Sequence, residues 1–168
     1  CSLHHHTTYS YKDGFGQPAA HIERAQELGM QAMAVTEHGN VTSHVALEQA
    51  ATDSGVKPIF GVELYMGHTS EEKRTQRKNH LTVLSKDVKG YQNMLGLVSR
   101  TYDNYYYEPT ASLEDLAEFN EGLIITSGCT GSWLTTALIG GKNIEEKDAG
   151  FAHGVKVATQ FKRLLGDR

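Results

Sequence analysis

The sequence predicts an α/β fold in which parallel strands are joined by crossover helices. Three observations predict it: short apolar runs recur along the chain, stretches of helical periodicity fall between them, and Gly, Pro or Asn signals separate the two. With 168 residues, 39% of them hydrophobic, the chain can bury one core, and nothing in its composition calls for a second domain. Periodicity does not choose between an open doubly wound sheet and a closed barrel, because both repeat the same strand–helix unit.

A short strand runs through Leu3 into the histidine cluster that follows. A helix opens at Gln17-Pro18, where proline suits the first turn, and ends at Leu28-Gly29. Residues 32–36 read as a buried strand, 41–54 as a helix stopped by Gly55, and 58–65 as a strand of large apolar residues. Then 80–84 read as strand, 88–100 as helix, 112–119 as a helix with Ser112 and Asp115 placed like a capping box, and 123–127 as strand. Residues 149–167 read as an amphipathic helix closing on Gly166.

Two connections stand apart. Residues 68–79 are polar, carry Lys73, Arg74, Arg77 and Lys78, and lack apolar periodicity. The simple reading is a solvated loop, and the alternative is a basic flap that touches phosphate. Between Tyr102 and Tyr107 lie four tyrosines, among them Tyr105 and Tyr106, which either pin the loop to the core or stack on bases. Packing is the simpler of the two.

A net charge of -4 argues against a surface built throughout to hold nucleic acid, so any DNA contact must be local. Two cysteines, Cys1 and Cys129, make no disulfide framework and fit a reducing setting. No stretch reads as a membrane span or signal peptide, so the expected location is the cytoplasm. There is no Walker loop, Gly-x-Ser-x-Gly elbow, dinucleotide fingerprint or His-Glu-x-x-His.

Nine histidines are many for this length, and several fall at strand ends. His4 and His6, two apart in an extended segment, project from one face and can share a metal site, while His5 points away. His38 follows the strand at 32–36 within Thr36-Glu37-His38-Gly39, where α/β folds place functional loops. Glu63 lies late in the next strand in an apolar context, so its carboxylate needs a cation or donor. His80 opens the next strand, and Cys129 follows the one at 123–127. The bland alternatives are that such a histidine, taken singly, is a hydrogen-bonded structural residue, that such a cysteine is a small buried apolar group, and that His4 to His6 are the remnant of an affinity tag. Converging, the set suits Zn, Mn or Fe better than Ca or Mg. Two or three such cations would make hydroxide from a bridging water near neutral pH and offset charge on a phosphate ester, so hydrolysis is the natural chemistry.

Leu3-His4-His5-His6-Thr7-Thr8-Tyr9-Ser10 followed by Asp13-Gly14 resembles the opening motif of PHP domains, in the version found in bacterial polymerase III alpha subunits. The resemblance continues through residues 34–40, 57–65 and 80–84, Tyr105-Tyr106-Tyr107 and Ser127-Gly128-Cys129, and covers nearly the whole chain. It implies a distorted TIM-like barrel of about seven βα units, with up to three metals at the carboxyl ends of the strands. Carried over residue by residue, it implies His4, His6, Asp13, His38, Glu63, His80 and Cys129 as ligands, Asp13 being a residue that otherwise reads as a turn. It further implies phosphoester hydrolysis, including 3′ to 5′ exonuclease action, by a metal-held hydroxide. Its partners would be DNA, the rest of the alpha subunit and, through it, a proofreading subunit and sliding clamp.

Glu37 stands where the family usually has aspartate, and its extra methylene is expected to shift a hydrogen bond to His38 and loosen that ligand. The family's last motif, an aspartate and a histidine, has no counterpart before Arg168, nor have the polymerase palm, fingers and thumb. The chain is therefore expected to be a truncated, incomplete barrel whose ends are breakpoints, as an intein-interrupted gene with Cys1 first would leave. Two alternatives keep the same domain: a non-catalytic scaffold for the polymerase, and a stand-alone phosphatase for a small phosphate monoester.

Overall fold

In the computed structural model, which describes residues 1–67, 78–141 and 148–166, strand β2 (Lys57–Met66) is the centre of a mixed sheet. Its alternate residues Val62, Leu64 and Met66 are buried on one face, as period-two patterning requires. Strand β1 (Ala32–His38) runs parallel to it, in register from Ala32 opposite Lys57 to His38 opposite Glu63. Between them lies helix α2 (His44–Ala51), and before β1 lies α1 (Pro18–Glu27) with proline in its first turn. Ile22, Ala25, Met33, Val35, Leu47, Ala51 and Val56 form the core under these elements.

The all-parallel expectation is not met. Strand β3 (Asn79–Ser85) returns antiparallel to β2, with Tyr65 opposite His80 and Glu63 opposite Thr82, and β5 (Leu123–Thr126) is antiparallel to β3. A crossover helix must lay an apolar stripe on the sheet, and residues 68–79 contain none. The strand at Leu3 reduces to a bridge between Ser2 and Met33, but its pairing continues: Ala34 and Thr36 donate their N–H groups to the carbonyls of Ser2 and His5, each at 2.8 Å. The parallel fragment β4 (Thr110–Ala111) pairs with the end of β2.

Helix α3 (Val88–Asp103) starts where Asp87 accepts the Gly90 N–H at 2.8 Å. It buries Met94, Leu97 and Val98 against β2, β3 and β5, each side chain of this size contributing ~1.5–3 kcal/mol. Helix α4 (Leu113–Phe119) has the expected capping box between Ser112 and Asp115. Helix α5 (Trp133–Ile139), capped by Ser132, was not legible in its Thr- and Gly-rich surroundings, and α6 (Phe151–Leu165) packs against it. Among the described residues, no helix is long and apolar enough to cross a membrane.

Two consequences position the site. The antiparallel turn-back puts His80 beside Tyr65 and near Glu63, and strand alternation puts His38, Glu63, Tyr65 and His80 on one face, opposite the helices that bury Val62, Leu64, Leu81 and Val83.

Candidate metal centre

Glu63 is 2% exposed, with four imidazoles and a thiol close to its carboxylate. Its Oε1 lies 3.2 Å from His4 Nε2, 3.0 Å from His80 Nδ1 and 3.5 Å from Cys129 Sγ. Its Oε2 lies 2.8 Å from His38 Nδ1 and 3.5 Å from His6 Nε2. The partners that its apolar context demanded are therefore present. Burial raises the Glu63 carboxyl, but the imidazoles of His38, His4 and His80 close to its oxygens outweigh it and hold the group well below the usual carboxylate range. His38 shifts the other way: the Glu63 carboxylate beside it outweighs burial and, with Asp13, raises it to about 9.

The extended segment before Thr7 aims its histidines as spacing predicts. His4 and His6 bring their Nε2 atoms within 3.1 Å of each other, while His5 turns to His21 at 3.0 Å. His21 in turn donates to the Phe15 carbonyl at 2.5 Å and so ties down the loop that carries Asp13. Asp13 Oδ2 lies 2.9 Å from His38 Nε2, and its carboxylate is 59% exposed, which makes it the open side of the site. Gly128 adopts a positive φ of 72°, a turn that brings Cys129 Sγ back to within 3.5 Å of His80 Nδ1. The Gly131 N–H donates to that sulfur at 3.3 Å.

All seven candidate ligands thus meet at one end of the sheet. Their donor atoms fall into three groups whose members lie within 4.8 Å of one another: His4, His6 and Glu63; His6, Asp13 and His38; and Glu63, His80 and Cys129. His6 belongs to two groups, and Glu63 to two. Imidazole, carboxylate and thiol donors of this kind fit divalent transition metals, and shared residues fit a cluster rather than separate ions.

Other sequence expectations fare differently. Glu37 does not bond the His38 ring. Period-two alternation turns it to the opposite face, where it is fully buried and accepts from the Thr7 N–H at 3.2 Å, the Thr7 hydroxyl at 2.5 Å and the Ser10 hydroxyl. Ser10 then accepts the His38 N–H at 3.1 Å and meets His6 Nδ1 at 2.9 Å. Thr7 and Ser10 are thus the residues that sequence reading overlooked, although Ser10 stood inside the Tyr9-Ser10 motif. The Tyr65 ring, equally unforeseen, stacks on His38 at 5.7 Å and meets His80 edge-on at 5.4 Å.

Lys73, Arg74 and Arg77 lie outside the described residues, and Lys78 is buried at 7% exposure. The packed tyrosine loop is not what forms: Tyr105 is 58% and Tyr106 is 42% exposed, with Tyr102 and Tyr107 also open to solvent. Two residues further on, Pro109 lies against Gly39, so this loop borders the His38 end of the site.

A mixed α/β sheet that gathers histidines, carboxylates and a thiol at one end defines an α/β protein with a candidate site for divalent metal. The chain belongs to the PHP domain family, whose profile matches residues 2–168. It is 34% identical over 152 residues to the DNA polymerase III subunit alpha of Borreliella burgdorferi, covering 87% of this chain and 13% of that protein. It is 39% identical over 139 residues to the DNA polymerase III subunit alpha of Thermus aquaticus, covering 77% of this chain and 11% of that protein. The chain therefore spans only about an eighth of the length of these curated relatives. A solved amidohydrolase structure from Chromobacterium violaceum aligns over 61% of this chain and 33% of its own, at 22% identity and TM-score 0.47.

Proposed function

We propose that this chain is the PHP domain of a bacterial-type DNA polymerase III alpha subunit and that its own chemistry is metal-dependent hydrolysis of phosphodiesters at a DNA 3′ end. The observation that carries the chemistry is the shared carboxylate of Glu63, buried among four histidines and a thiol that approach it from separate segments. The likeness to polymerase alpha subunits supports the parent protein. In that setting the rest of the subunit, DNA, a proofreading subunit and the sliding clamp are the partners, and the sheet is part of a distorted barrel of about seven βα units.

The bound cations, two or three of Zn, Mn or Fe, would supply an activated water and offset phosphate charge. His4, His6, Asp13, His38, Glu63, His80 and Cys129 would hold them. Glu63 fixes the spacing between the groups because each of its oxygens faces a different set of donors. Asp13, on the solvent side, leaves the approach for substrate open. Tyr65 packs its ring against those of His38 and His80 on the neighbouring side. Tyr105 and Tyr106, exposed on the loop that borders Gly39, offer faces on which unpaired bases stack.

The test is hydrolysis by the metal-loaded chain of a single-stranded DNA with a labelled 3′ end, beside a small phosphate monoester. Release of 3′ nucleotides, abolished in His38→Ala, is expected. Cleavage of the monoester alone would replace the DNA reading with a small-molecule phosphatase, and no hydrolysis by a fully loaded chain would make it a scaffold.

A further inference from the structure

Ser10 is 1% exposed and its hydroxyl is surrounded by three groups: the Glu37 carboxylate, the His38 backbone N–H at 3.1 Å and His6 Nδ1 at 2.9 Å. A hydroxyl has one proton to give and two lone pairs to receive with. The His38 N–H is a donor without choice and takes one lone pair. The Glu37 oxygens are both engaged as acceptors, Oε1 by the Thr7 hydroxyl and Oε2 by Ser10, with the Thr7 N–H at 3.3 and 3.2 Å from the two. Thr7 repeats the pattern, since its oxygen receives the Tyr9 N–H at 3.3 Å while its proton goes to Glu37. The single Ser10 proton is therefore directed to Glu37, and only a lone pair is left to face His6.

We infer that Ser10, held by Glu37, is a positioning residue that fixes His6 in the tautomer with its proton on Nδ1, leaving Nε2 bare toward the ligand cluster. This rests on the metal-centre reading above. A metal ligand needs an unprotonated nitrogen, and the hydrogen bond made by the other ring nitrogen decides which one that is. His6 Nε2 faces His4 Nε2 at 3.1 Å and Glu63 Oε2 at 3.5 Å, and the residue His6 belongs to two of the three donor groups, so its tautomer bears on both. The Glu37 carboxylate thus reaches the Thr7–Ser10 turn and not the His38 ring.

The chain labelled with 15N-histidine reports the tautomer directly, because the protonated and bare ring nitrogens differ widely in chemical shift. In the metal-free wild-type chain, His6 is expected in the Nδ1–H form. Ser10→Ala should give a mixture of tautomers and weaken binding of Zn²⁺ alone by about 10–100-fold, and Ser10→Thr, which keeps the hydroxyl, should restore both. A wild-type His6 in the Nε2–H form overturns the inference, whether or not any variant folds. An unchanged tautomer in folded Ser10→Ala overturns it too. Neither readout involves catalysis, so the inference fails independently of the hydrolase reading.

Discussion

Glu63 Oε2 lies 2.8 Å from His38 Nδ1, and the far nitrogen of the same ring lies 2.9 Å from Asp13 Oδ2. One imidazole thus links the most buried carboxylate of the site to an exposed one contributed by a distant turn. The remaining histidines and Cys129 gather on the two oxygens of Glu63, which makes that side chain the common element of the site.

Glu63→Gln is expected to weaken metal binding by at least about 100-fold, more than an outer-shell change costs, because it removes the charge shared by two donor groups while keeping the volume. Competition against a chelating dye measures this. Affinity within a few-fold of wild type would show that neither donor group depends on the Glu63 charge.

Acidification should destabilise the metal-free chain in part through His44. This ring is buried, donates Nε2–H to the Gly61 carbonyl at 2.9 Å and packs against Phe60 and Tyr91. Burial lowers its pKa, opposed by that carbonyl. The unfolded chain takes up the proton at about 6.5 and the folded chain only at lower pH, so His44 subtracts stability as pH falls below that value. His44→Gln keeps a donor without the titration. Urea midpoints from pH 7.5 to 5 should fall more steeply for wild type than for the variant.

Gly90→Ala is expected to destabilise the chain by ~1–3 kcal/mol or more through overpacking. A Cβ there would lie 1.8 Å from the Gly122 carbonyl oxygen, where the start of α3 meets the turn into β5. For a domain of this size each kcal/mol lowers Tm by roughly 2–4 °C. Metal bound per folded molecule should not change, which separates the scaffold from the site.

Replacing Tyr105 and Tyr106 together by Ala should raise KM for single-stranded DNA. Stacking contributes about 1–3 kcal/mol per base, which corresponds to roughly 5- to 150-fold for one lost platform. An unaltered KM would assign these exposed rings to some other contact.

Much of this was legible, and the misses have physical causes. The two-residue spacing of His4 and His6 correctly implied a shared face, and the apolar setting of Glu63 implied partners. The same period of two puts Glu37 on the opposite face from His38, yet adjacency in sequence suggested contact. The antiparallel return of β3 was also within reach, since residues 68–79 have no apolar stripe with which to cover a sheet. Asp13 was found only by resemblance, because an exposed aspartate in a turn carries no local mark of a ligand. The Ser10–Glu37 bond joins residues far apart in sequence, and no pattern along the chain encodes it.

The most direct test of the metal centre is elemental analysis of the tag-free chain after loading with Zn or Mn and removal of excess ion, beside His6→Ala. Two or more equivalents per chain, falling in the variant, are predicted. Less than one equivalent in the folded wild-type chain would contradict the cluster and, with it, the hydrolysis assigned to this site.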